Sequence, residues 1–142
     1  MREILFRGKD NGVLNGVWQY GSLDISNPDV PEINRIDRYN NKMRVPIIIE
    51  TVGQYTGLTD KNGKKIFEGD ILTDNPNSKI ANIYEIVWYE ELAGFMLDDG
   101  LELYGTYDWI ECHGENKILL EVIGNIHDNP ELLKGERYGT IY

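Results

Sequence analysis

The sequence predicts an all-β protein, and three observations carry that expectation. Fifteen glycines are spread over 142 residues. Short β-branched or aromatic runs stand between turn signals, as in chains of many short strands. No segment of a dozen residues shows clean apolar spacing of 3.6, so helix should be a minority. Two sharp turns within residues 51–72, followed by several short strands, point to a small curled barrel in the C-terminal part, because sheet closure needs frequent corners.

Residues 3–7 read as a first strand, and Gly8-Lys9-Asp10-Asn11-Gly12 as a turn, since glycine and asparagine tolerate positive φ. Residues 13–20 would return. Residues 26–44 are polar, contain Pro28 and Pro31 and show no period, which predicts a long connection or an arm. Val45-Pro46-Ile47-Ile48-Ile49 resumes an extended run, with its proline tolerable at an edge or a strand start. Residues 60–65 hold the pair Asn62-Gly63, a strong short-range hairpin signal. Ile66-Phe67 leaves that turn, and Glu68-Gly69-Asp70 makes a second one into Ile71-Leu72. Residues 74–78, with Pro76, read as a loop, and residues 79–89 as a strand rich in Ile, Tyr, Val and Trp. The acidic turn over residues 90–94 leads to Phe95-Met96-Leu97, and Asp98-Asp99-Gly100 turns again. Leu101 and Leu103 then alternate with Glu102 and Tyr104, the pattern of a half-buried strand. Residues 117–125 are the last clear strand. Asn129 and Pro130 are placed to cap and start one helical turn.

The chain carries 24 acidic and 14 basic side chains, a net charge of −10 with a pI near 4.6. That balance disfavours generic binding to nucleic acid or anionic lipid, where Lys and Arg neutralise phosphates. The surplus is not uniform. Residues 1–50 hold seven acids and seven bases, whereas residues 80–121 hold ten acids and the single base Lys117. Arg35, Arg38, Lys42 and Arg44 cluster against one Asp37. Such asymmetry suggests a seam between two parts; the charges read as ordinary solvated faces, or as a contact between the basic segment and an acidic surface, within a chain or between subunits. No apolar run approaches the ~20 residues of a membrane span. With one cysteine, Cys112, no intramolecular disulfide is expected. The start of the chain has no apolar signal core, so a cytoplasmic setting is the default expectation.

Candidate chemistry is sparse. Counting a calcium loop from Asp60 puts Lys64, Lys65 and Ile71 at positions five, six and twelve, so the motif fails. Cys112-His113 and His127 could assemble metal ligands with Glu111, but Gly114-Glu115-Asn116 makes the pair the lip of a turn. Asp98, Asp99, Glu102, Asp108 and Glu111 could gather carboxylates for a magnesium-dependent hydrolase, yet Asp98-Asp99-Gly100 already has a turn explanation. Seven of fifteen aromatics lie within residues 80–121. They read as barrel core and rim, or as platforms among carboxylates suited to a basic peptide or arm.

Three stretches resemble the YopX family of phage and prophage proteins. They are Arg2-Glu3-Ile4-Leu5-Phe6-Arg7-Gly8, the run from Thr51-Val52-Gly53-Gln54-Tyr55-Thr56-Gly57-Leu58 through Asp60-Lys61-Asn62-Gly63 to Glu68-Gly69-Asp70-Ile71-Leu72, and Val122-Ile123-Gly124-Asn125-Ile126-His127-Asp128-Asn129-Pro130-Glu131-Leu132-Leu133. Together they cover 41 of the 142 residues, in the family's order. Gly16-Val17-Trp18-Gln19-Tyr20-Gly21 resembles a further family element. The resemblance implies a phage or prophage origin, an SH3-like C-terminal barrel, and an N-terminal part that helps assemble subunits. It implies no enzyme, and it does not reach residues 22–50 and 73–121.

The sequence thus predicts a β-rich or arm-like assembly region over residues 1–50 and an SH3-like barrel domain over residues 51–142. The expected function is a non-enzymatic interaction or assembly module that forms homo-oligomers, without a cofactor, metal site or membrane. Partner-binding candidates are Trp88, Glu90, Glu91, Asp98, Asp99, Glu102, Trp109 and Glu111. Subunit-contact candidates are Arg35, Arg38, Lys42 and Arg44. The alternatives are an acidic inhibitor that mimics nucleic acid and captures a basic host protein, a carboxylate metal-dependent hydrolase, and nucleic-acid binding through the basic stretch. The last is disfavoured by the net charge.

Overall fold

The computed structural model describes residues 2–106 and 116–133. Its chain divides into two compact units, Met1–Tyr55 and Thr56–Tyr142. Each is built from antiparallel strands, as the all-β expectation requires.

The first unit contains β1 (Phe6–Asp10), β2 (Trp18–Asp24), β3 (Glu32–Ile36) and most of β4 (Lys42–Thr59). Consecutive strands pair antiparallel, and β4 also pairs with β1, which closes four strands into a small ring. Closure removes the two free edges that an open four-stranded sheet would expose. The N-terminal part is therefore β-rich rather than an arm. Within it, residues 26–44 are not a plain connection, because β3 lies in them and is paired on both sides. The polar sequence concealed a strand whose buried anchor is a single residue, Ile33, with no exposed surface.

The β1 strand also runs further than the glycine and asparagine suggested. Gly8 sits inside it, because a Cβ there would lie 2.9 Å from the Ile47 side chain. The turn follows at residues 11–17, where Asp10 Oδ1 accepts the Gly12 N–H at 2.6 Å. Val13 and Leu14, read as part of the returning strand, are exposed in that turn. The β1–β4 register shifts between Arg7, opposite Gly53, and Lys9, opposite Ile48. Thr51 fills the irregularity. Its hydroxyl accepts the Lys9 N–H at 2.8 Å and donates to the Ile48 carbonyl at 2.6 Å. Backbone groups that lose ladder partners at a bulge must find others, and this side chain supplies them.

The second unit contains the last residues of β4, then β5 (Lys65–Phe67), β6 (Asp70–Thr73), β7 (Ile83–Tyr89), β8 (Gly94–Asp98), β9 (Leu103–Gly105) and β10 (Glu121–Asn125). Its main sheet has the order β10-β6-β7-β8-β9. Alternation along these strands sends Ile66, Leu72, Tyr84, Ile86 and Leu97 into one core, joined by Ile118 and Leu120 from the segment before β10 and flanked by Leu58, Phe95, Tyr104 and Val122. Tyr84 and Tyr104 meet edge to face with ring centroids 6.0 Å apart.

The hairpin after β4 is the best-determined corner. Gly63 holds φ at +82°, a conformation that costs glycine little. Asp60, 1% exposed, accepts the Asn62 and Lys64 N–H groups on Oδ1, each at 2.9 Å, and the Val122 N–H on Oδ2 at 3.1 Å. One carboxylate thus shapes the turn and ties it to β10. Lys117 lies before β10, bridged in parallel to Thr59, so the last strand is shorter than its apolar pattern indicated. Residues 79–82 likewise belong to the loop before β7, where the Asn82 N–H and amide both donate to Asp74. A short 3-10 turn, Pro130–Leu133, stands where the sequence placed one helical turn.

Candidate functional site

The basic candidates lie on the β3–β4 hairpin. Asp37 builds its turn, accepting the Tyr39 and Asn41 N–H groups on Oδ1 at 2.9 and 2.8 Å. These bonds, led by the one from Asn41, lower the Asp37 carboxyl pKa below its usual range. Asn40 takes the left-handed backbone that the turn needs, with φ at 66°. Pairing of Ile36 with Lys42 and of Asn34 with Arg44 places these four residues on one face, while Arg35 and Met43 share the other.

The four cations have different employments. Arg35 donates to Gln19 Oε1 at 2.6 Å, and the Gln19 amide donates to Asp10 Oδ2 at 3.3 Å. Gln19 and Asp10 are both buried. Arg35 is thus the outer end of a polar line running into the first unit. Arg44 pairs with Glu32 at 2.8 Å, and that bond raises its pKa. Arg38 stacks over the Tyr39 ring at 5.0 Å, and Lys42 is exposed. Around them Ile36 is 59% and Tyr39 70% exposed, with Met43 also exposed. A mainly apolar depression of about 340 Å³ is lined by Asn34, Arg35, Ile36, Lys42, Met43 and Arg44. Charge counting found the cations but not these apolar residues. The signal was available, since Ile36, Tyr39 and Met43 interleave with the bases in a segment otherwise polar.

The acidic candidates occupy the two ends of β8. At one end Trp88, half-exposed, packs edge to face on Phe95 at 5.1 Å. Glu90 and Glu91 form the adjoining 3-10 turn, Glu90–Leu92, and Glu91 accepts the Tyr89 hydroxyl at 2.8 Å. At the other end Asp98 accepts the Gly100 N–H at 2.7 Å, and Asp99 accepts those of Leu101 and Glu102, each at 2.8 Å. The second Asp99 oxygen accepts the Tyr104 hydroxyl at 3.1 Å, which, with some desolvation, pushes the Tyr104 pKa up to about 12. At a strand rise of about 3.3 Å per residue, the two groups stand roughly 13 Å apart. Trp109 and Glu111 lie outside the described residues, as do Asp108, Cys112 and His113.

Across the sheet, Glu85 pairs with Asp98 and Asp98 with Leu103, so these three form one row on the face opposite the core. Leu101 and Leu103 are exposed beside them. The alternation marks Leu101 and Leu103 as one side of a half-buried strand, whereas it is Tyr104 that packs against the core and the leucines that face outward.

Other candidate chemistry has structural occupation. The Asp60 carboxylate of the failed calcium loop is spent on three backbone donors. His127 sits in a loop whose N–H is held by Asn125 Oδ1 at 3.0 Å. Among the described residues no group of three or more His, Cys, Asp or Glu is arranged to hold a metal ion, and no helix is long and apolar enough to cross a membrane.

Among solved structures, the chain is similar to the crystal structure of protein EF1440 from Enterococcus faecalis, with a TM-score of 0.57 and 24% identity, over 94% of this chain and 100% of that one. At that identity the likeness shows the fold alone. No curated protein matches. The YopX protein family model matches residues 6–134, and the chain belongs to that family.

Proposed function

We propose that this protein is a non-enzymatic interaction and assembly module of a phage or prophage, working as a homo-oligomer. The observation that carries the reading is the distribution of exposed apolar side chains. Of seventeen large hydrophobic residues exposed among the described residues, eleven belong to the first unit, among them Val13, Leu14, Tyr20, Ile36, Tyr39 and Met43. Scattered exposed apolar residues are normal, but such concentration is what a protein contact covers. Among the described residues, the candidate carboxylates Asp98 and Asp99 are used by turns, which supports an interaction role over chemistry. The short strands and sharp corners of the second unit support reading it as an SH3-like barrel, and a bacterial host cytoplasm is the setting that fits the family.

Multi-angle light scattering at micromolar protein tests the reading. A mass above that of one chain is expected, and a single-chain mass across the concentration range refutes the homo-oligomer. The acidic-inhibitor alternative calls for one contiguous carboxylate face. The separation of Glu90 and Glu91 from Asp98, Asp99 and Glu102 by the length of β8 favours assembly over that mimicry.

A further inference from the structure

The homo-oligomer reading leaves open which surfaces meet. We propose that the β3–β4 hairpin of one copy docks on the Glu85–Asp98–Leu103 row and the adjoining β8–β9 turn of a second copy. This rests on the assembly reading above and specifies its contact as one between two unlike patches.

The two patches match in both respects that matter at an interface. The hairpin offers exposed Ile36 and Lys42 on one face, with Arg38 and Tyr39 in the turn at its tip. The β8–β9 turn offers exposed Leu101 and Leu103 with Glu102, next to Asp98 and Glu85. Apolar side chains supply the area, while opposite charges set partner and register. Arg35 and Arg44 already bond Gln19 and Glu32, which leaves Arg38 and Lys42 as the cations that meet the acidic patch. On the acidic side, Glu85 and Asp98 stand directly opposite each other on neighbouring strands. Together with Glu102 they give this part of the sheet a negative potential that favours a basic partner.

The charge distribution also decides which surfaces meet. A contact of the hairpin with its own copy would set Arg38 and Lys42 against like charges, so the two unlike patches meet each other instead. The first unit has no net charge and the second carries the whole surplus, since seven acids and seven bases lie in residues 1–55. Unlike patches of this kind can meet reciprocally about a two-fold axis or head to tail, and repeated head-to-tail contacts generate a closed ring or an open filament.

The test uses two full-length variants and their mixture. Arg38→Glu with Lys42→Glu disables the hairpin, and Leu101→Lys with Glu102→Lys disables the acidic patch. All four side chains are exposed, so both variants should fold, and thermal unfolding checks that. Each variant alone is expected to run as a single chain where the parent associates. Mixed in equal amounts they should form a two-chain species, because each retains the patch that the other lacks. For the parent, association should weaken about tenfold or more between low and high salt, as screening shortens the reach of exposed charges. Variants that keep the parent's mass, or a mixture that stays single-chain, overturn this contact while leaving the homo-oligomer standing. A parent that is monomeric throughout overturns both, and parent association insensitive to salt overturns the charge-led docking even where a variant does not fold.

Discussion

Replacing Asp60 with alanine removes the acceptor for three backbone N–H groups at once. The turn donors Asn62 and Lys64 lie in an exposed loop and regain water, so each loses only the net value of a bond to a charged group, about 1 kcal/mol after that compensation. The Val122 N–H in β10 is less accessible, and leaving it unpaired costs about 1 to 3 kcal/mol. Together the loss is roughly 3 to 5 kcal/mol, a large part of the stability of a domain this size. Urea unfolding followed by tryptophan fluorescence and circular dichroism measures it. With a slope of ~1.5 to 2 kcal/mol per molar, the midpoint should fall by about 2 M. Asp60→Asn is the informative companion. Its amide oxygen can still serve the turn, but its NH2 group faces the Val122 N–H, so about half the loss is expected. A midpoint for Asp60→Ala within about 0.3 M of the parent, at unchanged slope, would refute the view that this carboxylate fastens the turn to β10.

Three further outcomes follow from the geometry. Arg35→Ala should destabilise the first unit by about 1.5 to 3 kcal/mol, because buried Gln19 loses its charged donor; an unchanged unfolding midpoint would return Arg35 to the surface contacts. Gly21→Ala should cost about 2 to 3 kcal/mol in the same assay, since a Cβ there collides with the Asn34 carbonyl oxygen; wild-type stability would mean the ring yields easily at β2. Tyr104 should ionise near pH 12 in the folded protein, against ~10 for a free tyrosine, and Asp99→Asn should bring that step down, as read by phenolate absorbance. The sign is fixed by proton binding: between those values the folded chain holds a proton the unfolded chain has released. The stabilisation is therefore full below pH 10 and lost as pH rises through 12. A Tyr104 step that titrates at 10 would contradict the Asp99 hydrogen bond.

Local chemistry made parts of this molecule readable from sequence. Asn62-Gly63 announced its hairpin because the turn requires a positive φ that few residues adopt. Asp98-Asp99-Gly100 announced its turn because short carboxylates cap nearby N–H groups. Elements made by distant partners were not readable. β3 exists because β2 and β4 flank it, and its polar residues carry little propensity of their own. Gly8 looked like a turn residue, whereas its lack of a side chain admits Ile47. The candidate sites divide similarly. Charge counting located both segments, but only the fold commits Arg35 inward, pairs Arg44, and leaves Ile36, Tyr39 and Met43 exposed among the remaining cations.

The pairing of β1 with β4 makes the order of synthesis matter. Phe6 finds Gln54, and Lys9 finds Ile48, only after most of the first unit has been made. At about 5 to 20 residues per second, β1 waits on the order of 2 to 9 s for its second neighbour. During that interval the nascent hairpin of β1 and β2 has an unpaired edge and no closed interior for Ile33 to fill. Folding of this unit is therefore a late, concerted event of high contact order, and a ribosome stalled before β4 would hold a chain prone to pair with a stranger's strand.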